Sequence, residues 1–217
     1  MRDSESCRKI EVCGFDFTRH IRAVCEDMVA RLPELAHIDM SRVAISLSQA
    51  RKSGSAGIHA SLTPMRFKDG QRAGKHRGRY YKSQLLLNKQ GGEMLYILTF
   101  FLPRFMDVTF HEKLVTIVHE LWHISPEFDG DLRRHQGRCY VHTGSKENFD
   151  RTTRNLVDAW LSLAPPKPLY HFLRYRFSQL REIHGRVHGV RYSRPKLMPI
   201  SAAEAHLING LNGGGRE

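Results

Sequence analysis

Apolar and polar positions alternate along the chain with periods that change from one segment to the next. Over 15–32, Phe17, Ile21, Val24, Met28 and Val29 recur every three or four residues, which predicts an amphipathic helix stopped by Pro33. The period then falls to two. Segments 43–49 and 58–67 alternate as half-buried strands do, and Ser53, Gly54, Ser55 and Gly57 supply turn residues between them, so a hairpin is expected. The stretch 68–78, rich in Gly, Lys and Arg, reads as a mobile loop; 80–87 and 94–102 read as two more strands. Helical spacing returns at Leu114, Val115, Ile117, Val118, Leu121 and Trp122. Thr109 and Glu112 ahead of this run have the form of a capping box, and Ser125-Pro126 closes it, because the residue before proline is pushed out of the α region. A further helix is expected over 148–163, through Leu156, Val157, Trp160 and Leu161, and Pro165-Pro166 ends it.

This order of elements makes the fold class α+β. Residues 1–164 are expected to form the principal domain and 165–200 a basic extension packed on or near it. Periodicity does not choose between strands and a helix in that extension, and 201–217, with Gly213-Gly214-Gly215, reads as a flexible tail.

A chain of 217 residues can bury one sizeable core. No apolar run approaches the roughly 20 residues that span a bilayer, and the start Met1-Arg2-Asp3-Ser4-Glu5 does not resemble a signal peptide, so a cytoplasmic location with no membrane partner is expected. Cys7, Cys13, Cys25 and Cys139 form no CxxC pair, which fits a reducing compartment and structural roles. Lys and Arg outnumber Asp and Glu by 34 to 22, a net charge of +12. The excess is concentrated in 66–82 and 174–196, where Tyr80, Tyr81, Tyr175 and Tyr192 are interleaved with the cations. Such mixtures can hold phosphates and stack bases, so nucleic acid is a candidate partner; a solvated basic surface has the same composition.

The sharpest chemical signal is His119-Glu120-Leu121-Trp122-His123. On a helix, positions i and i+4 share a face, so His119 and His123 can reach one Zn2+ while Glu120 stands beside it as a general base for an attacking water. A catalytic zinc takes three protein ligands, which leaves a third to be found among Asp129, His135 and His142, with Cys139 and Glu147 behind them. His135 follows His123 by twelve residues, and Gly130 lets the intervening segment turn back toward the metal. Asp129 or Asp131 would then cap the approach to His135 or accept a ring N–H from a ligand histidine. Tyr140, His142 and Arg138 are candidates for stabilising the oxyanion.

A helix, then strands, then a helix bearing HExxH resembles the zincin metallopeptidases over roughly residues 15 to 142. More closely, His119-Glu120-Leu121-Trp122-His123-Ile124, Phe128-Asp129-Gly130 and Leu132-Arg133-Arg134-His135 resemble the HELxHI…FxGxLxxH signature of the phage-type metallopeptidases. The resemblance implies a zincin-like mixed, mostly antiparallel sheet packed on an N-terminal helix and on the HExxH helix. It also implies a zinc-dependent metallopeptidase acting on peptides or proteins, with His119, His123 and His135 as ligands and Glu120 as catalytic base. Asp129 has metzincin-like spacing, but Pro126 stands where those chains carry glycine, which disfavours it as a ligand. By chain order the strand beside the metal helix would be 80–87, and Met198 could lie beneath the site as a Met-turn does, with ordinary packing as its alternative. Two other readings stand beside this one: a nucleic-acid-associated protein with a structural or inactive zinc, and a protease similar to the SprT type acting on DNA-bound proteins.

Overall fold

The computed structural model describes residues 14–50, 57–134 and 146–210. In chain order the elements are β1 (Phe15–Asp16), α1 (Phe17–Arg31), β2 (Val43–Gln49), β3 (Ala60–Pro64), β4 (Ala73–His76), β5 (Arg79–Ser83), β6 (Tyr96–Leu102), α2 (Arg104–Asp107) and α3 (Phe110–Trp122). They are followed by α4 (Lys146–Ser162), α5 (Lys167–Tyr170), α6 (Phe177–His184), β7 (Val187–His188), β8 (Leu197–Ile200) and α7 (Ala202–Gly210). The molecule is α+β.

Helix α1 starts where the Asp16 carboxylate accepts from the Arg19 amide at 3.1 Å, and it ends at Leu32, ahead of Pro33. Its buried stripe of Phe17, Ile21, Val24, Cys25 and Met28 faces a core shared with β6, α3, Trp160, Leu173 and Leu180. Burial pushes the Cys25 thiol up to about 12, so this cysteine serves as a small hydrophobe. Cys7, Cys13 and Cys139 lie outside the described residues.

The sheet topology differs from the expected hairpin. Strand β6 lies between β2 and β3, parallel to β2 and antiparallel to β3. The cause is composition: Tyr96, Leu98, Phe100 and Leu102 enter the main core, and Ile97, on the other face, is 3% exposed, so β6 needs the central position. Nor do the strands form one mostly antiparallel sheet. β4, β5 and β8 make a separate antiparallel sheet, and β1 pairs with β7 in a two-stranded parallel one.

Two segments depart from their expected state. The presumed loop 68–78 contains a 3₁₀ turn at Lys68–Gly70 and strand β4. Over 201–217, expected to be flexible, α7 forms at Ala202–Gly210, with Ala205 buried. Both have one cause, because the Asn209 side chain accepts from the Ala73 amide at 3.1 Å and donates to its carbonyl at 3.0 Å, as a neighbouring strand would. Met198 is paired opposite Lys82 in the β5–β8 ladder and is 38% exposed, so it packs at the surface and does not form a floor beneath α3.

The segment after 165 joins the core through Phe172, Leu173 and Leu180. It is tied to α3 by Lys113, whose buried Nζ donates to the carbonyls of Leu173 at 2.8 Å and Tyr175 at 2.7 Å. Burial lowers the Lys113 pKa to about 8. Among the described residues no helix is long and apolar enough to cross a membrane.

Candidate metal centre

Helix α3 begins with the capping box read from the sequence: the Thr109 hydroxyl accepts from the Glu112 amide at 3.3 Å, and the Glu112 carboxylate accepts from the Thr109 amide at 2.9 Å. Leu114, Ile117, Val118 and Leu121 bury one face, which fixes the rotation of the helix and hence the direction of its polar residues.

His119 lies in the last turn, and His123 caps the helix. Their Nε2 atoms are 3.0 Å apart, and the rings stand at 81° to each other. Two zinc–nitrogen bonds of roughly 2.0–2.1 Å meeting near the tetrahedral angle would separate their nitrogens by roughly 3.3 Å. The pair therefore fits a shared metal ion with a shift of a few tenths of an ångström. Phe149 of α4, buried, covers both imidazoles, with centroids 4.7 Å from His119 and 4.9 Å from His123. Phe149 went unnoticed in the sequence, although it falls on the apolar stripe that Leu156, Val157 and Trp160 continue in the same helix.

Glu120 is 8% exposed and turns toward β3. Burial raises its pKa to about 7, and a hydrogen bond from the Leu62 backbone opposes that rise. The strand beside the motif is therefore β3 and not 80–87. β5 is bound into the other sheet between β4 and β8, whereas β3, among the described residues, is an edge strand with β6 on one side.

After the helix the chain folds back. Ile124 bridges antiparallel to Leu132, and the Arg133 amide donates to the His123 carbonyl at 2.7 Å. The Arg133 guanidinium donates from Nε to the Trp122 carbonyl at 2.7 Å and lies 3.9 Å over the Trp122 ring. Gly130, at φ +90°, permits the turn, and a Cβ there would come within 2.4 Å of Arg66. The buried Tyr96 hydroxyl, donating to the Asp131 carbonyl and accepting from the Gly130 amide at 2.9 Å each, anchors this turn to β6.

Asp131 is engaged by the turn itself. Its carboxylate accepts from the amides of Asp69 and Leu132 and from Nε and Nη2 of Arg134, at 2.7–3.1 Å. Asp129 caps the Asp131 amide at 3.0 Å. Both aspartates shape the turn. Among the described residues no group of three His, Cys, Asp or Glu side chains is assembled to hold a metal. His135, Arg138, Cys139, Tyr140 and His142 lie outside the described residues, as does the side chain of Glu147.

Helix α3 thus carries two converging imidazoles, and the residue that follows the first of them, Glu120, has a buried carboxylate. A family model described as putative phage metallopeptidase matches residues 18–159, well over half of the chain. The chain belongs to that family, and with it to the metallopeptidases, a class that works with a metal cofactor on peptide substrates. Neither a curated protein nor a solved structure matches it.

Proposed function

We propose that the protein is a zinc-dependent metallopeptidase in which His119, His123 and His135 hold the ion and Glu120 is the general base. The observation that carries this reading is the convergence of the two Nε2 atoms to 3.0 Å on a helical turn that also bears the buried Glu120. His135 is supported by the returning chain: Arg133 is bonded to the His123 carbonyl, and two residues of chain reach at most about 7 Å further.

Zinc held there would supply Lewis acidity toward water and the substrate carbonyl. Glu120, with its pKa near 7, takes the proton from that water as it attacks the peptide carbonyl and returns it to the leaving amine. Its burial against β3 keeps bulk water from competing for the proton. The edge of β3 away from β6 offers backbone groups to a substrate lying extended and antiparallel along it, so the scissile bond passes Glu120. Phe149 limits the rotation of both imidazoles.

Zinc content per chain, measured for wild type and for H135A, D129A and H142A, tests the ligand set. About one zinc in wild type and D129A with loss in H135A is expected. Full retention in H135A would reassign the third ligand, and no uptake by wild type would overturn the reading.

A further inference from the structure

The face of the β2–β6–β3 sheet turned away from α3 carries a second, chemically different cavity. Registers across the three strands align Ser46, Thr99 and Ser61 in one row, with Ser48 beside Phe101 and Thr63 beside Ile97 in the rows on either side. Because side chains alternate along a strand, these positions face away from Leu62 and Leu98, which pack in the main core on the α3 side. The cavity has a volume of about 380 Å³, with Ser48, Ser61, Thr63 and Thr99 on its floor and Arg191 and Arg194 on its rim.

The rim is fixed in place. The Leu47 amide donates to the Val190 carbonyl at 2.9 Å, the Val190 amide to the Thr18 hydroxyl at 3.1 Å, and the Tyr192 amide to the Ser46 hydroxyl at 2.9 Å. Tyr192 also packs on the small apolar cluster of Ala44, Met65, Met94 and Ile97. The two exposed arginines thus project from backbone held against the sheet. Among the described residues lining the cavity there is no carboxylate.

The four hydroxyls of the floor and the two guanidinium groups of the rim form a donor-rich lining, cationic in its charges and suited to phosphate oxygens, and the half-exposed Phe101 ring provides a face for a base. We propose that this cavity binds a nucleotide unit, with its phosphate on Arg191 and Arg194 and its base against Phe101. The unit is either a free nucleotide or part of a single strand, and only the second arises from the basic segment 174–196 serving as a nucleic-acid surface. The site is on the opposite face of the sheet from Glu120, so it is independent of the proposed peptidase activity.

Fluorescence anisotropy of a labelled twelve-residue oligothymidylate, with AMP and inorganic phosphate as competitors, tests the proposal in the full chain. Wild type is expected to bind, and Arg191→Gln/Arg194→Gln to weaken binding by about tenfold or more, with the log–log salt slope reduced by about 1.4. Arg77→Gln/Arg79→Gln removes the same charge from the β4–β5 turn and is expected to retain wild-type affinity. Competition by AMP identifies a free-nucleotide site; binding of the strand alone identifies nucleic acid. Equal loss in both double variants, or no binding of strand or nucleotide by wild type, would overturn the proposal. All four arginines are exposed, so the variants should fold, and no readout depends on zinc or proteolysis.

Discussion

The hydroxyl of Tyr96 donates to the carbonyl of Asp131 at 2.9 Å, joining the central strand to the turn that brings the chain back past His123. The same oxygen accepts from the Gly130 amide, so a single buried group satisfies two backbone positions of an irregular loop. Desolvation raises the phenol's pKa, which keeps it a donor at all working pH values. Tyr96→Phe leaves both loop groups buried without that partner and is expected to cost about 1–3 kcal/mol in chemical denaturation. It should also weaken zinc binding. Unchanged stability would mean that the loop is held by its aspartates alone.

Arg133 grips the end of α3 by stacking on Trp122 and donating to its carbonyl. Lys cannot reproduce the planar fork. Arg133→Lys is expected to lower zinc affinity about tenfold in competition with a chromophoric chelator, in line with other groups that orient metal ligands. Wild-type affinity would show that the backbone bond from Arg133 to His123 is sufficient.

Much of this arrangement was legible in the sequence, for identifiable reasons. The capping box at Thr109 and Glu112, the stripe of α1 and the i, i+4 pair are local patterns, and local geometry realises them. Strand partners are not local. β2 and β3 follow each other in sequence, yet β6 separates them, because the pairing depends on which strand must bury both faces. The same blindness placed the wrong strand beside the metal helix and read 68–78 as a loop and 201–217 as a flexible tail, since Asn209 and Ala73 meet only in the folded chain. Phe149 and Tyr96 do not stand out in the sequence, because their contacts with the histidines and with the turn are tertiary.

Metal-free protein should show the strain of a buried carboxylate. The Glu120 pKa in the fold, about 7, lies above its ordinary value of 4.5, so the folded state is fully relieved below about pH 4.5, loses stability as pH rises toward 7, and stays penalised above it. Glu120→Gln does not titrate. Its melting temperature should exceed that of wild type by several degrees at pH 8, a difference on the order of 3 kcal/mol at most, and by little at pH 5. Equal gaps at the two pH values would contradict the burial of an ionisable Glu120.

Lys113 gives the opposite sign. Its pKa in the fold, about 8, is below the ordinary 10.5, so the cost of burying its charge is complete below pH 8 and is relieved as pH rises toward 10.5. Wild type should therefore gain stability over Lys113→Met between pH 8 and 10 in thermal melts. A gap that stays constant over that interval would mean that the Leu173 and Tyr175 carbonyls hold the ammonium without penalty.

The central claim concerns a proton moved by Glu120 beside a metal on His119 and His123. Casein hydrolysis by zinc-loaded wild type and Glu120→Gln, compared at equal zinc content, tests it most directly. The account predicts that the variant keeps its zinc and loses turnover by a factor of about 100 or more. Comparable hydrolysis by the two proteins would contradict it.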